Sequence, residues 1–187
     1  MRFGTAKNLD ITAPGLIDQS WSEAEALGAA VWLWMHSESH REMPLHTLPT
    51  LLLPAIKHRQ FILAAEAGRA VFYLSWANLS PEAERRYLQR HPLCMPEGDW
   101  DSGDRMWILD WVAPFGHSQV MKRLLARQLF ANRCMRSLYH RGDQRGLKIK
   151  TFRGMAVLPE EARAWFETHP VALTPTVHST LSEKELT

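Results

Sequence analysis

The chain has 187 residues, of which 45% are hydrophobic and 22% are charged, and its formal net charge is +2. This length suits one domain of ordinary size, and the apolar fraction excludes a chain that is disordered throughout. No apolar run approaches the roughly 18 residues of a membrane-spanning helix, and the start lacks the apolar stretch of a secretory signal. Two cysteines, Cys94 and Cys134, cannot build a disulfide framework or a zinc site alone, so we expect a cytoplasmic protein.

The first part of the chain predicts an arm and two helices. Residues 1–19 mix Gly, Pro, Thr and Asp without periodicity, which predicts a flexible arm. Ser20 and Ser22 are candidate N-caps of a helix that runs to about residue 36. Pro44 suits the first turn of a second helix, which two later prolines would shorten or kink.

The rest of the chain alternates strands and helices. Two apolar, β-rich runs joined at Gly68-Arg69 predict a hairpin. The later elements are a polar helix (81–91), an apolar strand (106–113), a basic amphipathic helix (117–130), two strands (134–140 and 147–153) and a closing helix (159–169). This order predicts an α/β (α+β) domain over residues 20–170, in which helices flank a mixed, mostly antiparallel sheet, and a loose tail over 171–187.

The basic residues are concentrated in one segment. Residues 121–153 hold ten Lys and Arg against one Asp, a local charge of +9, so the rest of the chain carries −7. A segment with such an excess of positive charge attracts anionic partners. Two interpretations stay open: a solvated surface, or a docking surface for an acidic partner such as a nucleic acid or a carrier protein.

Most common catalytic and nucleotide-binding signatures are missing. The sequence contains no GxGxxG, P-loop, HExxH, GxSxG or CxxC motif, and it lacks the pyrophosphate loop of acyl-coenzyme A acetyltransferases. Of the nine histidines, only His36 and His40 stand at an i, i+4 spacing, and no third ligand is nearby. We therefore expect no metal site.

Two positions carry side chains suited to proton transfer. Ser37 and His40 stand three apart and can hydrogen-bond on one face of a helical turn, although a histidine there can also simply stabilise a helix C-terminus. Asp110 lies within the apolar strand, where an unpaired carboxylate is costly to bury. It is either a structural hydrogen-bonding partner or a group that orients a histidine and stabilises the imidazolium.

These residues lie in stretches that resemble the RTX toxin-activating lysine acyltransferases, the family that acylates hemolysin-type protoxins. The matching stretches are WLWMHSESHR with MPL (32–45), LPAI (53–56), QFIL (60–63), SWANLS (75–80), DWDSGDRMWILDWVAPFG (99–116) and LKIKTFRG (147–154). They are collinear, and SWANLS and SGDRxWxxDWxAPFG are long and unusual, so chance is a poor explanation.

The resemblance implies a GNAT-like fold, a fatty acyl group delivered by acyl-acyl carrier protein, and no bound cofactor. The acceptor it implies is the ε-amine of internal lysines on an inactive RTX protoxin, and it suggests a homodimer. It further implies that His40 is essential, that Asp110 supports it, and that Ser37 has a lesser role. The resemblance also gives the basic segment 121–153 an acidic carrier protein as its partner, which weakens the interpretation of this segment as a nucleic-acid-binding surface.

Elementary chemistry agrees with this resemblance. An ordinary lysine amine, with a pKa near 10.4, is only about 0.1% neutral near pH 7.4, a penalty of roughly 4 kcal/mol. A histidine can accept its proton as the amine attacks a thioester. We therefore predict that His40 is the general base, that Asp110 holds its ring, and that strand amides steady the oxyanion.

The remaining contacts are predicted more coarsely. Five tryptophans either line an acyl groove or belong to the core: Trp32, Trp34, Trp76, Trp107 and Trp111. We assign substrate contacts to Arg41, Trp76, Arg105 and Trp111, and carrier docking to Arg123, Arg127, Arg133 and Arg136. Three alternatives remain: a nucleic-acid-binding module, a Ser37/His40/Asp110 acyl hydrolase, and a relative that binds without catalysing.

Overall fold

The computed structural model describes residues 2–4, 8–90, 95–138 and 148–172. One sheet follows the order of the chain: β1 (Arg2–Gly4), β2 (Asn8–Thr12), β3 (Phe61–Glu66), β4 (Arg69–Leu79), β5 (Arg105–Val112), β6 (Cys134–Leu138) and β7 (Ile149–Arg153). Neighbouring strands are antiparallel except β5 and β6, which are parallel. The predicted mixed, mostly antiparallel sheet is confirmed.

Helices flank this sheet, as predicted. They are α1 (Glu23–Met35), α2 (Leu48–Leu51), α3 (Leu53–Lys57), α4 (Pro81–Gln89), α5 (Ser118–Leu124) and α6 (Pro159–Thr168), with a π-helical turn (Leu125–Leu129) that extends α5. Short 3-10 turns cover Leu45–Thr47 and Glu97–Asp99. Within the described ranges, no helix is long and apolar enough to cross a membrane.

Residues 2–4 and 8–12 belong to the sheet, which corrects the predicted flexible arm over 1–19 at these positions. Leu9, Ile11 and Ala13 alternate toward the core and are almost fully buried. β2 pairs with β3 from Leu9 to Thr12, so its backbone groups join the ladder of the hairpin. Three alternating apolar residues among Gly, Pro and Thr are too short a pattern to predict a strand.

The end of α1 determines the conformation around His40. Ser22 caps the helix, since its Oγ accepts a hydrogen bond from the Glu25 N–H at 3.3 Å. The helix ends at Met35, close to the predicted position. The chain then makes successive turns, in which the N–H groups of His40 and Arg41 both donate to the Ser37 carbonyl.

The sheet has two faces that carry different helices. On the first, which we call the α5 face, Phe72, Leu74 and Trp76 of β4 pack with α5 and its π-helical turn. On the second, which we call the α1 face, Tyr73 packs with α1 and α3, and Ala77 packs with α4. The predicted basic amphipathic helix is confirmed in α5, whose buried residues face the sheet.

β5 and β6 are paired over a short length only. Their partners are Trp107 with Arg136 and Ile108 with Ser137. Residues 109–112 of β5 therefore have no strand partner on the β6 side among the described residues. Residues 139–147, which follow β6, and most of the predicted tail, 173–187, lie outside the described part of the chain.

Candidate active site

His40 and Asp110, which are far apart in the sequence, are in contact. His40 Nε2 lies 3.0 Å from Asp110 Oδ1. The histidine belongs to the turns after α1 and the aspartate to the second half of β5, so the contact joins helix and sheet. The two side chains are 19% and 14% exposed, which leaves the pair reachable but largely shielded from water.

A β-bulge in β5 turns Asp110 toward α1. Ser75 pairs with Asp110 whereas Trp76 pairs with Ile108, so Leu109 is an extra residue in the ladder. In a regular strand Asp110 would share the face of Ile108, because side chains alternate along a strand. The bulge shifts the alternation and places the carboxylate on the α1 face.

Three donors hold the Asp110 carboxylate. The indole N–H of Trp34 donates to Oδ2 at 3.0 Å, the backbone N–H of Trp111 donates to Oδ1 at 3.1 Å, and His40 makes the third contact. Trp34 also stacks on His40, with ring centroids 4.9 Å apart. A carboxylate sheltered from water is costly unless its oxygens accept hydrogen bonds, so these donors stabilise it and fix the imidazole ring.

The contact with Asp110 also assigns roles to the two nitrogens of His40. A carboxylate can only accept, so Nε2 carries the proton of the neutral ring and Nδ1 holds the lone pair. Two hydroxyl oxygens lie at that lone pair, Ser37 Oγ at 2.8 Å and Ser39 Oγ at 2.9 Å. The four side chains form one hydrogen-bonded series that runs from the serines to Asp110.

Tyr73 is a second ionisable group on the α1 face, and it is fully buried. Burial raises the pKa of Tyr73 far above its ordinary value, and the negative charge of Asp110 raises it further. The phenol therefore stays protonated at any physiological pH. It cannot compete with His40 as a base.

Sequence reasoning missed Ser39 and the contact of Trp34 with Asp110. A helical turn that continues to residue 40 would place only Ser37 beside His40, because neighbours on a helix are three or four residues apart. The helix instead ends at Met35, and the following turns bring both hydroxyls to the imidazole. The spacing Ser-x-Ser-His is the one signal that could have indicated Ser39.

Two predicted contact residues are buried and need correction. Arg105 forms an ion pair with Glu84 and donates to the Pro170 carbonyl at 2.7 Å, and Arg136 pairs with Glu84 at 3.2 Å. Both arginines are at most 7% exposed. They neutralise a buried carboxylate, and from there Arg105 cannot meet a substrate and Arg136 cannot dock a carrier.

Two predicted tryptophan contacts point away from His40. Trp76 is 4% exposed and packs edge-on against Phe130 on the α5 face. The ring of Trp111 packs against Phe72 on that same face, and its N–H donates to Ser118 Oγ at 3.1 Å. Only the backbone of Trp111 reaches the site, so neither ring is a substrate contact beside His40.

The other predicted contact residues lie on the surface. Arg41 follows His40 and forms an exposed ion pair with Glu42 at 3.3 Å. Arg123, Arg127 and Arg133 of the basic segment are exposed. Their positions are compatible with contacts to an acidic partner, and their roles stay predictions.

The described residues contain no group of three His, Cys, Asp or Glu side chains arranged to hold a metal ion. A cavity lies between Arg59, Trp76, Phe130 and Arg133 on the α5 face. His40 and Asp110 do not line this cavity, so it is separate from the candidate active site.

Among solved structures, the chain is similar to the loading GNATL domain of CurA from Lyngbya majuscula. The TM-score is 0.48 at 8% sequence identity, and the match covers 71% of this chain and 65% of that one.

Sequence comparison finds much closer similarity. The leukotoxin-activating lysine-acyltransferase LktC (serotype A1) of Mannheimia haemolytica is 38% identical over 76% of this chain and 85% of its own. The RTX-I toxin-activating lysine-acyltransferase ApxIC of Actinobacillus pleuropneumoniae is 40% identical over 70% and 74%, and the protein-lysine myristoyltransferase RtxC of Kingella kingae is 36% identical over 76% and 84%. The model of the RTX toxin acyltransferase family matches residues 19–153. The chain therefore belongs to the RTX toxin acyltransferase family and is an acyltransferase, as the resemblance predicted.

Proposed function

We propose that the chain transfers a fatty acyl group from an acyl-acyl carrier protein to the ε-amine of internal lysines on an RTX protoxin. Its relatives are named as toxin-activating lysine acyltransferases and, in one case, as a protein-lysine myristoyltransferase. The observation that carries the proposal is the 3.0 Å contact between His40 Nε2 and Asp110 Oδ1. Membership of an acyltransferase family sets the nucleic-acid-binding alternative aside.

His40 acts as the general base. A lysine ammonium must lose a proton before its nitrogen can attack a thioester carbonyl. Nδ1 of His40 points away from Asp110 and holds the lone pair that accepts this proton. Asp110 then stabilises the imidazolium at 3.0 Å without taking the proton itself. Because the pair is largely shielded from water, this attraction is stronger than between fully solvated charges.

The carrier protein docks on the exposed arginines of the basic segment. Arg123, Arg127 and Arg133 contribute to a segment with a net charge of +9, which attracts an acidic carrier. Residues 109–112 of β5, which pair with no described residue on the β6 side, offer backbone groups for the thioester and its oxyanion. The proposal also includes a cytoplasmic reaction, which the cysteine content favours, and a homodimer, which the resemblance suggests.

The test is coexpression with an unacylated protoxin, followed by intact-mass and peptide mass spectrometry. Leukotoxin is the first choice of protoxin, because relatives from Mannheimia haemolytica are named for activating it. We expect acylated lysines with the wild type and with His46→Ala, an exposed histidine outside the site, and none with His40→Ala. Full acylation by folded His40→Ala would contradict the assignment of the base.

A second candidate function rests on the contact between Ser37 and His40. Ser37 Oγ, His40 and Asp110 form a continuous series, as in acyl hydrolases whose serine is the nucleophile. Ser37→Ala separates the two functions. A hydrolase would lose all turnover and its acyl-serine intermediate, whereas a direct transferase keeps lysine acylation at a reduced rate.

A further inference from the structure

The nitrogen of His40 that must take the substrate proton is already hydrogen-bonded. Asp110 holds Nε2, so Nδ1 alone can act as the base. Ser37 Oγ lies 2.8 Å from Nδ1 and Ser39 Oγ lies 2.9 Å from it. A lysine nitrogen therefore cannot reach the lone pair directly while both hydroxyls stay in place.

The two hydroxyls compete for one lone pair. An imidazole nitrogen offers a single acceptor site in the plane of its ring, so only one serine donates to Nδ1 at a time. The other hydroxyl can donate to the first, because Ser37 Oγ and Ser39 Oγ are 3.1 Å apart. The arrangement has the connectivity of a short proton wire that ends at His40.

The two serines differ in exposure, and this difference indicates from which end the proton of the substrate enters the wire. Ser37 is half-buried, and its carbonyl accepts hydrogen bonds from the N–H groups of His40 and Arg41 at 3.0 Å and 2.9 Å. Ser39 is exposed at the outer side of the same turns. A lysine side chain that arrives from solvent meets the Ser39 hydroxyl first.

We propose that Ser39 is a further catalytic residue, whose hydroxyl relays the proton of the substrate lysine to Nδ1 of His40. The proposal rests on the proposed lysine acylation and adds a group that touches the reacting nitrogen. The lysine ammonium gives one proton to Ser39 Oγ while the hydroxyl proton of Ser39 passes to Nδ1, directly or through Ser37. This step yields a neutral amine and an imidazolium that Asp110 stabilises.

The remaining bonds then change without any further reactant. The amine nitrogen attacks the thioester carbon and forms the C–N bond, and the C–S bond breaks with its electron pair on sulfur. The second proton of the nitrogen passes to that sulfur, so the carrier leaves as a thiol. The imidazolium of His40 returns its proton to solvent.

The relay is tested by single-turnover acylation of leukotoxin, with enzyme in excess and myristoyl-acyl carrier protein as donor. We expect Ser39→Ala to slow the acylation step about 10- to 100-fold, within the range of general acid–base catalysis. Ser39→Thr keeps a hydroxyl and should recover most of the rate. Ser20→Ala removes an exposed serine outside the site and should leave the rate unchanged.

Rates in mixtures of H₂O and D₂O distinguish a relay from a structural role. With at least two protons in motion, the wild-type rate should depend on the deuterium fraction along a curve, and this curvature should decrease or vanish in Ser39→Ala. A serine that only supports the loop would lower the rate of Ser39→Ala without changing the shape of this dependence.

The results that would contradict the relay can be distinguished from those that would contradict the proposed function. A Ser39→Ala rate equal to or above that of the wild type, or a linear dependence in the wild type, overturns the relay. If one of these results is obtained while the wild type is active and His40→Ala is inactive in the same assay, only the relay has failed and the proposed function stands. If the wild type acylates no lysine, the proposed function and the relay fall together.

Discussion

Asp110 and Glu84 are two carboxylates on the same side of the sheet with different partners. Each accepts a hydrogen bond from an indole N–H, Asp110 from Trp34 at 3.0 Å and Glu84 from Trp107 at 2.8 Å. Glu84 is fully buried and paired with two arginines. Asp110 keeps some exposure and is paired with His40.

The difference lies in whether the positive partner can change its charge. An arginine stays protonated under all physiological conditions, whereas a histidine gains and loses a proton near neutral pH. Glu84 therefore belongs to a permanent ion cluster that holds α4, β5 and β6 together. In the proposed mechanism, Asp110 stabilises a charge that appears only when His40 accepts a proton.

The largest expected effect comes from removing the charge of Asp110. Asp110→Asn should lower the single-turnover rate by roughly 10³-fold, about 4 kcal/mol, because the imidazolium loses its stabilising partner and the ring its tautomer. The melting temperature should change little. Asp104→Asn is the matched control, since it alters a surface pair with His169 and should keep full activity. A loss of less than threefold in Asp110→Asn would remove the dyad from the mechanism.

The reverse pattern is expected for Glu84. Glu84→Gln leaves Arg105 and Arg136 buried without their counter-charge, so it should lower the free energy of unfolding by about 3 kcal/mol. The folded fraction should acylate lysine at the wild-type rate. Urea denaturation gives the first quantity and single-turnover acylation the second. Normal stability with lost acylation would instead place Glu84 in the active site.

The two indole contacts allow a finer comparison. Trp34→Phe keeps a ring stacked on His40 but removes the donor to Asp110, and should slow acylation about tenfold, or roughly 1.4 kcal/mol. Trp107→Phe removes the donor to Glu84 and should cost about 1 kcal/mol of stability with no change in rate. Equal effects of both variants on the rate would mean that the two carboxylates are not functionally distinct.

The elements of the fold were largely predictable because their signals are local. Ser22 as the cap of α1, the turn at Gly68 and the buried side of α5 depend on residues close together in the chain. The strand β2 was missed because its two apolar residues, Leu9 and Ile11, are too short a pattern, and the strand forms through its pairing with β3. A strand in a sheet is stabilised by distant partners, which a short sequence pattern does not contain.

The candidate active site was only partly predictable, because its geometry also depends on contacts between residues that are distant in the sequence. His40 and Asp110 were identified as candidates from their side chains and their sequence context, and the resemblance implied their roles. The orientation of Asp110 depends on the bulge at Leu109, which no periodicity indicates. The burial of Arg105 and Arg136 depends on Glu84, which the sequence presents as one charge of a polar helix. Whether a charged residue is exposed depends on its partners in space, and segment charge cannot reveal that.

The smallest expected effect concerns the exposed arginines, which contrast with the buried pair around Glu84. Arg123→Ala and Arg127→Ala should each raise the KM for the acyl carrier about two- to fivefold at low salt, because exposed charges attract the carrier through a screened field. The difference from wild type should vanish near 0.5 M salt, where the Debye length is only a few ångströms. Arg85→Ala removes an equal charge from an exposed position of α4, outside the basic segment, and serves as the control. An increase in KM that persists at high salt would mean that these arginines make close, dehydrated contacts like those of Arg105.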